Sequence, residues 1–214
     1  MNVDSLISML IEKRVLKFGS FLLNSGRTSP YFFNLGSVDD GKSFRDLGAA
    51  YANVIHQEEL FCDVLFGPAY KGIPIAVSAA IALLDLGYNV GVSYNRKEEK
   101  DHGEGGVLIG AELTGRVILI DDVLTSGKAI RKSVELIEAA GASIEGVVIA
   151  LDRKEKNESG KSAAMELSDD LNVRVISLAS VDDVIDYLQT KQNEEFKKAF
   201  EDMSLYRSRF CIDL

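Results

Sequence analysis

Apolar positions change their spacing along the chain, and each change predicts an element. Leu6, Ile7, Leu10 and Ile11 recur at helical spacing, so the first dozen residues predict an amphipathic helix with Asp4 as N-cap. The segment VLKFGSFLLNSGRTSPYFFNLG alternates around turn residues, which predicts a short antiparallel ribbon forming an N-terminal flap. From about residue 43 helix and strand take turns. A helix over 43–57 precedes the strand DVLFG, an apolar helix over 71–86 precedes VGVSY, and the run VILI at 117–120 precedes a helix over 127–140 that stops at Gly141. IEGVVIAL, a helix over 161–171, the strand VRVISLA and helices over 181–190 and 193–208 complete the chain. Repeated βα units predict an α/β fold, with a central, mostly parallel sheet covered by helices on both faces. In such sheets ligands bind beyond the carboxyl ends of the strands. The expected organisation is one domain over 1–214: the N-terminal helix and flap to about residue 40, then the α/β core with its C-terminal helices.

Bulk properties narrow the chemistry. The 214 residues carry a formal net charge of -9, which argues against nucleic acid, whose phosphate backbone calls for a basic surface. The most apolar segment, Ile73 to Leu84, is too short to span a bilayer, and the N-terminus fits no signal peptide; a cytoplasmic protein without membrane contact is expected. Cys62 and Cys211 form no metal-binding pattern and read as reduced thiols. Ile73, Ile75, Ala76 and Ala80 read as core, and His56 as a surface histidine.

Three segments follow predicted strands and should meet on one rim: FGPAYKG, NRKEEKDHGEGG and DDVLTSGKA. The last is the most specific. Thr125, Ser126 and Gly127 fall at a helix N-terminus, where unpaired N–H groups and the dipole favour a phosphate. Asp121 and Asp122 in front of them would weaken a plain anion site, but they suit the hydroxyls of a sugar and a positive charge developing on it. A phosphorylated sugar presents both kinds of group. An acidic pair that merely caps the next helix is the bland alternative, and the Thr-Ser-Gly lowers its standing. GAELTGR lacks the Lys-Ser/Thr of a Walker loop, and the run from Gly103 has Leu108 where a dinucleotide fingerprint needs glycine.

These residues carry a resemblance. The stretch 117–129 resembles the phosphoribosyl-pyrophosphate motif of type I phosphoribosyltransferases. VLKFG, SGRTSPYFFN, VLFGPAYKGIPIA, YNRKEEKDHGEGG, DDVLTSGKAIR and LDRKE are similar, in order and spacing, to the orotate phosphoribosyltransferase family over most of residues 15–155. The resemblance implies the type I phosphoribosyltransferase fold. It also implies transfer of ribose 5-phosphate from phosphoribosyl pyrophosphate to orotate with Mg²⁺, the metal being carried mainly by the diphosphate substrate.

By position, the resemblance implies that Asp121, Asp122, Val123, Leu124, Thr125, Ser126, Gly127, Lys128 and Ala129 hold the ribose 5-phosphate. Tyr70, Lys71, Arg96, Lys97, Lys100 and His102 would surround the pyrophosphate, and Phe32, Phe33, Thr125 and Arg153 would contact orotate. Lys100, His102, Asp121 and Asp122 are the catalytic candidates. Adjacent strand residues point to opposite faces, so only one of Phe32 and Phe33 can face the base; the other is expected in the core. Arg153 suits a planar carboxylate; its alternative is a surface cation beside Asp152 and Glu155. The segment 98–106, a solvated hairpin tip on its own terms, is in this family a lid shared across a homodimer. One departure stands out: Asn24 replaces a lysine common in the family, with Arg27 as a candidate substitute. The competing readings are a phosphoribosyltransferase for another base and a non-catalytic sensor of phosphoribosyl pyrophosphate.

Overall fold

The computed structural model describes residues 2–23, 25–100, 106–124 and 127–212, with the side chains of 97–100 outside that description. The run 117–120 lies on a strand buried on both faces, each of Val117, Ile118, Leu119 and Ile120 having no exposed surface. Successive side chains on a strand point to opposite sides. Val117 and Leu119 accordingly pack with Ile130, Val134, Ile137 and Leu167 on one face, while Ile118 and Ile120 join Leu47, Tyr51, Ile75 and Leu83 on the other. An unbroken apolar run is the signature of a strand with a helix layer on each side.

In chain order the elements are α1 (Val3–Glu12), β1 (Leu16–Leu22), β2 (Thr28–Phe33), α2 (Gly41–Gln57), β3 (Val64–Phe66), α3 (Gly72–Asp85), β4 (Gly91–Lys100) and β5 (Gly106–Gly110). Then come β6 (Arg116–Val123), α4 (Lys128–Ala139), β7 (Ser143–Asp152), α5 (Ala163–Leu171), β8 (Arg174–Ser180), α6 (Val181–Gln189) and α7 (Glu194–Phe210). A six-stranded sheet runs in the order β5-β4-β3-β6-β7-β8, with β1 and β2 in a separate two-stranded sheet. Only β4 and β5 pair antiparallel within the larger sheet.

The expected elements appear with small differences that have local causes. Asn2, not Asp4, caps α1: its side chain accepts from the Ser5 N–H, and Asp4 lies in the first turn, where its charge suits the helix dipole. The strand expected over 90–94 continues to Lys100, and β5 returns beside it. The outer part of that hairpin is polar, so its pairing left no hydrophobic pattern in the sequence. The flap docks on the C-terminal helix through edge-to-face contacts of Phe18 with Phe196 and Tyr31 with Tyr206. Ile75 and Ala76 are buried, Ile73 and Ala80 partly so, and His56 is exposed with Nδ1 3.2 Å from the Tyr88 hydroxyl. Among the described residues no helix is long and apolar enough to cross a membrane.

Candidate active site

The carboxyl ends of β3, β4, β6 and β7 form one rim, because Phe66 pairs in register with both Ser93 and Leu119, and Val123 with Leu151. The loop after β3 is drawn onto this rim by backbone contacts. The Gly67 N–H donates to the Ser93 carbonyl at 3.0 Å, and the Ala69 N–H to Asn95 Oδ1 at 3.0 Å. The loop then turns back so closely that a Cβ on Gly72 would lie 2.8 Å from the Ile120 carbonyl oxygen and 2.7 Å from Pro68 Cδ. Only glycine fits there without moving the loop.

This close return delivers Lys71 to the end of β6, where its Nζ lies 2.7 Å from Asp122 Oδ2. Asp121 precedes it, its Oδ1 accepting the Asp122 N–H at 2.9 Å. Burial, and then the neighbouring Asp122 carboxylate, push the Asp121 carboxyl up to about 7. The Asp121 carbonyl accepts from the Tyr51 hydroxyl at 2.7 Å, which fixes the end of β6 against α2. Val123 and Leu124 turn their side chains to the apolar clusters on opposite faces, leaving their backbone for any ligand. Gly127, at φ 66°, supplies the left-handed bend that opens α4, and Lys128 and Ala129 are exposed on its first turn. Among the described residues, Asn2, Asp40, Ser162, Ser180 and Asn193 cap their helices, whereas α3 and α4, the two that start on the rim, have no capping side chain. In α3 the Gly72 and Ile73 N–H groups donate to the Pro68 and Tyr70 carbonyls instead, at 3.0 and 3.4 Å.

A second cluster sits at the end of β7. Arg153 is 9% exposed, which excludes the surface-cation alternative. Its Nε and Nη2 donate to Glu155 Oε1 at 2.8 and 2.6 Å, Nη2 also to Ser29 Oγ at 3.1 Å, and its guanidinium lies 4.1 Å above the Tyr31 ring. Asp152 instead accepts from the Lys154 N–H. Phe33 is buried and Phe32 is 38% exposed beside Phe21, as alternation on a strand requires.

The structure thus joins Lys71, Asp121 and Asp122, and places Arg153 two residues past the strand partner of Val123. Tyr70 is exposed beside Lys71, and Arg96 is half-buried on β4. Lys97 and Lys100 have their backbone on β4, their side chains lying outside the described residues, as do His102, Thr125, Ser126 and Asn24 altogether. Sequence reasoning missed Asn95, Tyr51 and Glu155. Asn95 heads the basic segment already singled out, and Glu155 lies within LDRKE; nothing local marked Tyr51.

The model of the phosphoribosyl transferase domain matches residues 34–186, so this rim is that of a phosphoribosyltransferase. The chain is 48% identical over 206 residues to an orotate phosphoribosyltransferase of Marinobacter nauticus, covering 96% of each chain. It is 52% identical over 187 residues to one of Pseudoalteromonas translucida, covering 86% of this chain and 87% of that one. A crystal structure of orotate phosphoribosyltransferase from Francisella tularensis superposes with a TM-score of 0.84 at 35% identity, covering 97% of this chain and 99% of that one. The chain belongs to the phosphoribosyltransferase family and, within it, to the orotate phosphoribosyltransferases.

Proposed function

We propose that this chain, as a single domain over 1–214, transfers ribose 5-phosphate from phosphoribosyl pyrophosphate to orotate in pyrimidine nucleotide synthesis in the cytoplasm. The bond from the anomeric carbon to the diphosphate oxygen breaks, a bond to the base nitrogen forms as that nitrogen gives up its proton to the departing pyrophosphate, and orotidine 5′-monophosphate and pyrophosphate leave. The observation that carries this reading is the Lys71–Asp122 pair at 2.7 Å. It joins the loop after β3 to the acidic pair at the end of β6, directly before the α4 N-terminus.

Each part has a physical task. The N–H groups at 127–129, with Thr125 and Ser126, receive the 5-phosphate. Asp121 and Asp122 accept from ribose hydroxyls and favour the positive charge that grows on the ring as the diphosphate departs. Lys71, half exposed, turns from Asp122 to the leaving diphosphate, which Tyr70, Arg96, Lys97, Lys100 and His102 also surround. Arg153 meets the orotate carboxylate, and the exposed Phe32 and the backbone of Phe33 border the base.

Mg²⁺ would be carried mainly by the phosphates of phosphoribosyl pyrophosphate, with Asp121 and Asp122 kept for the ribose hydroxyls; among the described residues no cluster of three metal-ligating side chains offers it a site of its own. When bound with the diphosphate, Mg²⁺ supplies charge neutralisation on the leaving group.

A homodimer follows from α3, which packs on the sheet and on α2 yet leaves a further apolar face uncovered, Val77, Ile81 and Leu84 being 41%, 63% and 58% exposed. Such a helix calls for a second cover, and a second copy supplies it. The lid residues Lys100 and His102 then act at the neighbouring copy's rim. The test is an absorbance assay of base consumption with phosphoribosyl pyrophosphate and Mg²⁺. Orotate is expected to be consumed efficiently and uracil, hypoxanthine and adenine not; efficient use of another base would overturn the assignment.

A further inference from the structure

The Arg153 cluster draws on segments outside the shared phosphoribosyltransferase domain. That domain spans 34–186, yet the groups that surround Arg153 and Glu155 come from the flap before it and from α7 after it. Glu155 Oε1 accepts from Arg153 Nε and Nη2, and from the Tyr206 hydroxyl at 2.8 Å. Its Oε2 faces Arg27 Nη1 of the flap at 3.7 Å. Arg27 in turn lies 5.0 Å from the Phe210 ring and donates to the Lys156 carbonyl at 3.5 Å. The chain end fastens the same segment from below: the Lys156 N–H donates to the Phe210 carbonyl at 2.7 Å and the Ile212 N–H to the Lys154 carbonyl at 2.9 Å.

We propose that Glu155, held by Tyr206 and Arg27, is the positioning residue that aims the Arg153 guanidinium at the carboxylate of the base. The proposal rests on the reading of Arg153 given above and deepens it. One carboxylate between two guanidinium groups leaves this pocket one positive charge in excess, which a monoanionic carboxylate on the substrate neutralises. Glu155 occupies the Nε edge of Arg153 and Tyr31 covers one face of the plane, so rotation of the fork is blocked, while among the described residues Nη1 has no hydrogen-bond partner. Removing the Glu155 charge would leave two arginines facing each other across a neutral amide, and the fork would lose its fixed direction.

The test compares Glu155→Gln, Tyr206→Phe and Arg153→Ala with the parent chain in steady-state kinetics, each variant first checked for cooperative unfolding. Glu155→Gln should raise KM for orotate by about tenfold or more while KM for phosphoribosyl pyrophosphate moves less than about twofold, the pattern of a lost charge-assisted contact at one substrate only. Tyr206→Phe, which keeps every charge, should raise KM for orotate by about two- to fivefold, less than Glu155→Gln because it loosens the carboxylate without removing it. Combining Tyr206→Phe with Glu155→Gln should add little, because both act through the same oxygen. If Arg153→Ala raises KM for orotate but Glu155→Gln does not, the positioning role is refuted and the reading of Arg153 stands. If Arg153→Ala leaves KM for orotate unchanged, that reading itself fails. Should Glu155→Gln not fold, Tyr206→Phe with both KM values unchanged refutes the proposal by itself.

Discussion

Replacing Asp121 by asparagine should make the protein more stable and inactive, and the gain should depend on pH in a way the structure fixes. Burial and the adjacent Asp122 raise the Asp121 carboxyl from 3.8 to about 7. The folded chain therefore keeps this proton over a range in which the unfolded chain has lost it, so stability falls as pH rises through that window and levels off above it. Three units at 1.36 kcal/mol each put the penalty at ~4 kcal/mol above neutral pH, and at nearly zero near pH 4. An asparagine retains the Oδ1 that accepts the Asp122 N–H but carries no charge to desolvate. The variant should thus gain roughly 2–4 kcal/mol near pH 8, on the order of 10 °C in Tm for a chain of this length, with little gain near pH 4. Urea unfolding of both proteins at the two pH values measures this, since titrating groups that do not interact with Asp121 cancel in the difference, and in this range only its neighbour Asp122 responds to the substitution. Turnover should be lost, because a neutral amide does not stabilise cationic charge on the sugar. A stability difference that is the same at both pH values would refute the electrostatic account.

Other consequences are testable separately. Tyr31→Phe should stabilise the fold by about 1 kcal/mol in chemical denaturation, because the Tyr31 hydroxyl is fully buried with no hydrogen-bond partner among the described residues, while the ring under Arg153 is retained. Gly72→Ala should cost about 1–3 kcal/mol and raise KM for phosphoribosyl pyrophosphate, since its Cβ would meet the Ile120 carbonyl at 2.8 Å and push the Lys71 loop off the rim. Ile81→Glu should convert a dimer to monomers in sedimentation and abolish turnover; an active monomer would remove the shared-lid argument. Lys100→Ala should lower kcat far more than it weakens binding of phosphoribosyl pyrophosphate in equilibrium titration, and equal small changes would count against a role in the lid.

What the sequence disclosed and what it concealed divide along the range of the interactions. The parallel sheet was legible because β6 and β7 bury both faces and so read as continuous apolar runs, and helix stops such as Gly141 are local features. The acidic pair and the start of α4 were legible because they lie in one contiguous segment. The N-cap of α1 was misplaced because Asn2 and Asp4 are both good capping residues and only backbone geometry chooses between them. The outer arm of the β4–β5 hairpin pairs through its backbone, which no side-chain pattern reports. The setting of Arg153 was least legible: its partners Ser29 and Glu155, and the Tyr206 that holds Glu155, come together over separations of up to 124 residues.

The two clusters on the rim have the same electrostatic problem and solve it differently. Asp121 and Asp122 repel each other, and Arg153 faces Arg27 across Glu155; in each case one ion of opposite sign relieves the crowding, Lys71 in the first and Glu155 in the second. Lys71 is 47% exposed on a long stem and its pair with Asp122 is singly bonded, so water and a diphosphate compete for it at little cost. Glu155 is 21% exposed and accepts from two residues besides facing Arg27, so its departure would break three hydrogen bonds and leave the buried Arg153 charge without its counter-ion. On the proposed function the difference in burial separates the two roles: the lysine would be an exchangeable counter-ion that frees the acidic pair when the diphosphate arrives. The glutamate would be a fixed strut that stays in place through the cycle, so that the charge of the arriving base adds to the cluster without displacing any part of it.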